Sequence, residues 1–152
     1  MKLSAGLLMF RRMEHSLEYF LVHPGGPFFT KKDTGYWTIP KGEPIGDEKL
    51  LETAKREFLE ETGLVAIPPF FELGTVKQKS GKVVHAWAFE GSLPNDYKLI
   101  SNTFSIEWPP KSGKQQQFPE IDKAKFFDDQ EARLKINAAQ FEFIIKLKDL
   151  LA

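Results

Sequence analysis

Cysteine is absent from the 152 residues, which excludes a disulfide framework, a thiolate metal site and a cysteine nucleophile, and gives no sign of an oxidising compartment. Net charge is absent too. Twenty-one basic residues balance twenty-one acidic ones, so nothing argues for a protein that coats nucleic acid, and only local charge carries information. Neither a DNA-binding helix pair nor a basic tail is visible. A leader is also missing from the reading: the short apolar run of Met1–Phe10 is ended by Arg11 and Arg12 before a signal-peptide core or cleavage site develops. That run reads as a first strand, and the expectation is a cytoplasmic protein with no membrane contact.

What is present is an ordinary globular composition, 41% apolar and 28% charged, in a chain long enough to bury roughly 70% of its unfolded surface. A single domain over residues 1–152 is expected. Leu3–Phe10 and Tyr19–His23 read as neighbouring strands joined by the polar Arg11–Glu18 segment. His23-Pro24-Gly25-Gly26-Pro27 is a concentrated turn signal, and Lys31–Gly35 reads as loop. From Asp47 to Thr62 the period becomes helical, with Asp47 as N-cap and Gly63 as the stop. Phe71–Lys77 and Val83–Phe89 form a hairpin whose second strand sets Val83, His85, Trp87 and Phe89 on one face, toward a core. His85 is read as a packed strand histidine. Gly91–Pro119 is polar and irregular, the kind of long loop that tends to be functional or mobile. Lys125–Phe127 offers a last strand and Asn137–Leu150 a closing amphipathic helix.

The helix carries the chemistry. Glu57, Glu60 and Glu61 fall three and four apart, so three carboxylates share one stripe. Each like-charged pair costs an exposed helix roughly 0.2–0.5 kcal/mol. A hard divalent cation between them reverses that sign, and Mg²⁺ or Mn²⁺ suits a carboxylate set without cysteine or clustered histidine. Leu50, Leu51, Ala54 and Phe58 lie on the adjoining face, to be pressed against a sheet. Arg56 can pair with Glu52 behind it and Glu60 ahead, steadying a ligating carboxylate. Charge alone also fits a solvated helix laced with ion pairs.

The wider spacing decides between these. Gly42, five residues, Glu48, seven residues, then Arg56-Glu57-Phe58-Leu59-Glu60-Glu61-Thr62-Gly63-Leu64 meets nine specified positions, a coincidence on the order of one in ten million from average residue frequencies. This run resembles the signature of the Nudix hydrolases. The resemblance implies an α+β fold, a mixed sheet sandwiched between helices. It implies divalent-metal chemistry, with Mg²⁺ (or Mn²⁺) held by Glu57, Glu60, Glu61 and the backbone carbonyl of Lys41, while Glu48 and Arg56 support. Trp37-Thr38-Ile39-Pro40-Lys41-Gly42 is similar to the entry of the dinucleoside-polyphosphate-hydrolase branch. Glu120, placed before Phe126-Phe127, stands as a fourth carboxylate. Departures are Glu43 where that branch has histidine, Phe126 where tryptophan is common, and the long 91–119 segment.

The implied activity is hydrolysis of a phosphoanhydride bond in a nucleoside diphosphate linked to another group, with a dinucleoside polyphosphate or nucleoside triphosphate leading. Catalytic candidates are Arg56, Glu57, Glu60, Glu61 and Glu120, one of Glu57, Glu60 or Glu120 acting as general base. Lys41, Lys77, Lys111 and Lys114 are candidates for phosphates, and Tyr36, Phe28 and Trp108 for stacking on a base. The partner expected is a small nucleotide; oligomeric state stays open. The competing class is a nucleotide or nucleotide-sugar sensor on the same fold, which could dispense with a ligand glutamate, whereas here all are present. An isoprenoid-diphosphate isomerase of this fold would be expected to carry a catalytic cysteine.

Overall fold

The computed structural model describes residues 2–152. Its elements in chain order are β1 (Leu3–Arg12), β2 (Leu17–Pro24), β3 (Lys41–Gly42), α1 (Leu50–Thr62), β4 (Phe71–Lys77), β5 (Val83–Glu90), β6 (Thr103–Glu107), β7 (Gln115–Pro119), β8 (Ile121–Phe127), α2 (Asp129–Lys135) and, after a 3₁₀ turn at Ala138–Gln140, α3 (Phe141–Leu151). The main sheet runs β4-β5-β1-β2-β8, with β3 paired to β1. β1 and β5 are parallel and the other neighbours antiparallel, so the sheet is mixed. Among the described residues no helix is long and apolar enough to cross a membrane.

Both faces of the sheet are covered. Leu8, Phe10, Tyr19, Leu21 and Phe127 pack with Phe143, Ile144 and Leu147 of α3 on one side. Leu7, Met9, Phe20, Val22 and Phe89 pack with Ala54 and Phe58 of α1 on the other. A strand buried on both faces reads as a continuous apolar run, which is why Leu7–Phe10 shows no alternation. The same covering corrects the expectation for β5. Val84, Ala86 and Ala88 are fully buried, while of the expected core face only Phe89 is. Small residues at 84, 86 and 88 let the other helical layer sit close. His85 is half-buried, stacked on Trp87 at 4.3 Å between ring centroids and bonded to Glu72 at 2.6 Å.

Three further expectations are corrected. The helix begins at Leu50 with Lys49 as its extended N-cap, not at Asp47, because Glu48 rather than Asp47 organises the entry: its Oε1 accepts from the Ile45 N–H and the Thr53 hydroxyl. Residues 91–119 are not irregular throughout; β6 and β7 form a separate hairpin. Its half-buried Phe104, Ile106 and Phe118 alternate with exposed polar residues, too few apolar groups to stand out from a polar segment. The closing helix expected over Asn137–Leu150 is α3 at Phe141–Leu151, entered through the 3₁₀ turn that Asn137 caps by accepting the Ala139 N–H; ahead of it lies an unexpected short helix, α2, capped by Asp128, whose carboxylate accepts the Glu131 N–H.

Candidate active site

Gly42, the residue that opens the signature, lies against Glu57. A Cβ there would fall 2.0–2.2 Å from the Glu57 carboxylate atoms, so only glycine lets helix α1 bring that carboxylate onto the strand. Phe58, fully buried against Phe20 and Phe89, anchors the middle turn of the helix, and the residues beside it are held by that packing. Glu61 is buried and accepts the Lys41 backbone N–H at 3.3 Å. Glu57 and Glu60 are partly exposed, and the exposed Glu120 lines one cleft of about 320 Å³ with Glu61, Lys41, Tyr36, Phe29, Thr38 and Asn137.

Arg56 organises the flank. Its guanidinium makes a fork to Glu48, Nε to Oε2 at 2.9 Å and Nη2 to Oε1 at 3.0 Å, and also donates to Glu60 at 3.1 Å and to the Glu43 carbonyl at 3.1 Å. The expected pairing with Glu52 is not made. Glu52 instead meets Lys55 at 3.2 Å, because Arg56 turns toward the helix entry, where a planar carboxylate takes two N–H groups at once. That fork, with the Thr53 hydroxyl adding to it, draws the Glu48 carboxyl down to about 2, so Glu48 stays ionised as a counter-charge.

The carboxylates themselves behave in the opposite way. Burial pushes Glu61 up to about 8; Lys41 opposes the shift while Glu57 and Glu120 add repulsion. Glu57 is raised by burial and by Glu60, with Arg56 acting against both and Glu120 adding to the repulsion. The Lys41 ammonium is pulled down by burial first and then by Lys82, against the pull of Glu61, Glu57 and Glu43. This is a site short of positive charge at its carboxylates. The donor set, hard oxygens without sulfur or imidazole, fits a divalent cation such as Mg²⁺ or Mn²⁺. Among the described residues no three acidic, histidine or cysteine side chains are drawn together closely enough to ring an ion; the Glu60 carboxylate is turned to Arg56.

Of the other sequence candidates, Tyr36 stands in the cleft, with Phe29 6.2 Å from it between ring centroids. Lys77, Lys111, Lys114, Phe28 and Trp108 do not line it. Lys77 ends β4, and Lys111 lies in the turn of the β6–β7 hairpin, its N–H bonded to Glu107. Trp108 packs edge-on to Phe28 at 5.5 Å, which holds the hairpin against the Gly25–Gly35 loop. The reading of the sequence missed Phe29, Thr38 and Asn137 in the cleft and Lys82 beside Lys41, and no local motif marks any of them.

The family model for the NUDIX domain matches residues 2–147. A search of curated protein sequences returned no match. Among solved structures, a Caenorhabditis elegans Ap4A hydrolase binary complex is similar at TM-score 0.70 and 20% identity, covering 99% of this chain and 98% of its own. The NUDIX domain of Shewanella oneidensis NrtR complexed with ADP ribose is similar at TM-score 0.66 and 19% identity, with 99% and 88% covered. A MutT protein from Methanosarcina mazei is similar at TM-score 0.61 and 20% identity, with 99% and 96% covered.

Proposed function

The chain belongs to the Nudix family, and from that premise we propose that it is a pyrophosphohydrolase acting on a nucleoside diphosphate linked to a further group, most simply a dinucleoside polyphosphate or a nucleoside triphosphate. The observation that carries the reading is the Glu57–Gly42 contact beside the buried Glu61. Supporting it, the charge of Glu57 and Glu61 is not fully compensated within the protein, and Glu61 with Glu120 lines a cleft of about 320 Å³, room for a nucleotide portion. Similarity to an Ap4A hydrolase and to a domain complexed with ADP ribose is consistent with compounds of this class.

Nudix hydrolases generally use divalent metals, and the residues that would hold the ion here are Glu57, Glu60, Glu61 and Glu120, with the Lys41 carbonyl. When bound, Mg²⁺ or Mn²⁺ would neutralise phosphate charge and lower the pKa of an attacking water. The chain's own residues do the rest. Arg56 holds Glu60 in orientation and is itself held by Glu48. Lys41 lines the cleft together with Glu61 and Glu120, and Tyr36 supplies an aromatic face to the same cleft. Hydrolysis breaks one P–O bond of the anhydride and forms another to the water oxygen. The proton passes to Glu57, Glu60 or Glu120, and the freed phosphate leaves with the electron pair.

The test is a substrate panel with Mg²⁺ and with chelator, resolving products by chromatography, followed by glutamate-to-glutamine exchange at residues 57, 60 and 120. Metal-dependent release of a mononucleotide or phosphate is expected, with turnover reduced at least about ten-fold for the residue that serves as base. Activity that survives the chelator overturns the mechanism. Binding without turnover favours a nucleotide sensor.

A further inference from the structure

We propose that Gln140 is a positioning residue of the candidate active site: its buried carboxamide fixes the Ile39–Lys41 segment, and through it holds the Lys41 backbone on Glu61. The proposal rests on the reading of that site given above. Gln140 is fully buried at the start of α3, and its side chain reaches back 101 residues to the segment it holds.

The segment crosses from one strand of the sheet to another. Thr38 exchanges its N–H and C=O with Val22 of β2 at 2.9 Å, whereas the Pro40 carbonyl accepts the Leu7 N–H of β1 at 3.1 Å, and Lys41 and Gly42 pair with Gly6 and Ala5. At the crossing the Ile39 N–H goes to neither strand; Gln140 Oε1 accepts it at 2.9 Å. A backbone N–H can only donate, so it fixes which way the amide faces. Nε2 then donates to Gln78 Oε1 at 2.8 Å, in the turn between β4 and β5. Without Gln140 the buried Ile39 N–H has no acceptor, and the segment must shift to find one. Pro40, with its fixed φ, passes that shift on rather than absorbing it. Lys41 comes next. Its N–H meets Glu61 at 3.3 Å, near the limit of a hydrogen bond, so a small displacement ends the contact and carries with it the Lys41 carbonyl proposed to face the ion.

Gln140→Met tests this, because methionine keeps the length of the side chain and removes both hydrogen bonds. Leu147→Ala is the control: it opens the packing of the same helix and does not touch the segment. Amide exchange by NMR, Mn²⁺ binding by calorimetry and steady-state kinetics are measured on each. Gln140→Met is expected to speed exchange of the Lys41 amide about ten-fold relative to the amides of β5, to weaken Mn²⁺ binding about five-fold, and to lower kcat about ten-fold at little changed KM. Leu147→Ala is expected to lower the melting temperature and leave these three ratios near wild type. Lys41 exchange unchanged relative to β5 in Gln140→Met, or the same losses in Leu147→Ala, overturns the proposal. Should Gln140→Met not fold, Gln140→Asn, whose amide is drawn back by one methylene, is held to the same outcomes. Should wild type hydrolyse nothing or bind no Mn²⁺, the proposed function fails, and the Lys41 exchange rate still decides the role of Gln140.

Discussion

Gly42 and Glu57 share a space with no room for a methyl group, because a Cβ on the strand would fall 2.0–2.2 Å from the Glu57 carboxylate atoms, far inside van der Waals contact. The substitution Gly42→Ala therefore acts on the carboxylate and leaves the sheet core untouched, since Gly42 lies at the short β3 rather than among the buried strands. With Glu57 in the proposed metal-holding role, displacing its carboxylate by about 1 Å can cost two orders of magnitude in rate. Gly42→Ala should lower kcat about 100-fold with a near wild-type melting temperature, measured by steady-state kinetics beside thermal denaturation. A fully active variant would show that the contact has no role. The glycine, Glu48, Arg56 and the three glutamates were legible in the sequence by spacing alone. That Arg56 chooses Glu48 and not Glu52 was not, because helical spacing names the possible partners and the direction of the side chain chooses one.

At the scale of the element, α1 ends where the strap before β6 reaches it. Gly63 adopts φ 78° and its N–H closes on the Leu59 carbonyl, a conformation open to glycine at little cost. Two carbonyls of the last turn are then met from outside: Glu60 by the Asn102 N–H at 3.2 Å and Thr62 by the Tyr97 hydroxyl at 2.7 Å. Asn102 also accepts the Glu120 N–H at 2.8 Å, so one residue ties the helix of Glu57–Glu61 to the strand entry that carries Glu120. Burial raises the Tyr97 phenol to about 12, and it stays a donor at neutral pH. Tyr97→Phe removes one hydrogen bond worth about 1 kcal/mol and should lower the melting temperature by roughly 2–4 °C, with turnover changed less than in Gly42→Ala. Calorimetry and kinetics on the same preparation check this. Segment 91–119 reads as loop because its strands carry three glutamines and little apolar alternation; the packing of Trp108 on Phe28 supplies what local pattern does not.

Across the whole molecule, the carboxylate cluster sets how stability responds to pH. Glu61 titrates near 4.5 when solvated and at about 8 in the fold, so the folded chain holds this proton more tightly than the unfolded one. Its contribution to stability is complete below the lower value and is lost as pH rises through the upper one. Wild type should therefore lose stability between pH 5 and 9 relative to Glu61→Gln, by on the order of 1–3 kcal/mol. Mg²⁺ should restore that stability at pH 9 in wild type and less so in the variant, because a bound cation favours the ionised carboxylate. Denaturation at both pH values, with and without Mg²⁺, measures it. Parallel pH profiles for the two proteins would contradict the assignment of a buried, uncompensated Glu61.

What the sequence by itself determined is whatever local spacing encodes: the carboxylate stripe of α1, the glycine that ends it, the first strands and the hairpin of β4 and β5. A helical or extended period is a property of neighbours along the chain, so those residues announce themselves. Tertiary structure alone decided which face of β5 is covered, where Arg56 points, that residues 103–119 pair into a hairpin, and that Asn137, Thr38 and Tyr36 meet Glu61 and Glu120 around one cleft. These depend on contacts between residues as much as a hundred positions apart, which packing on both faces of the sheet brings together and no local pattern records.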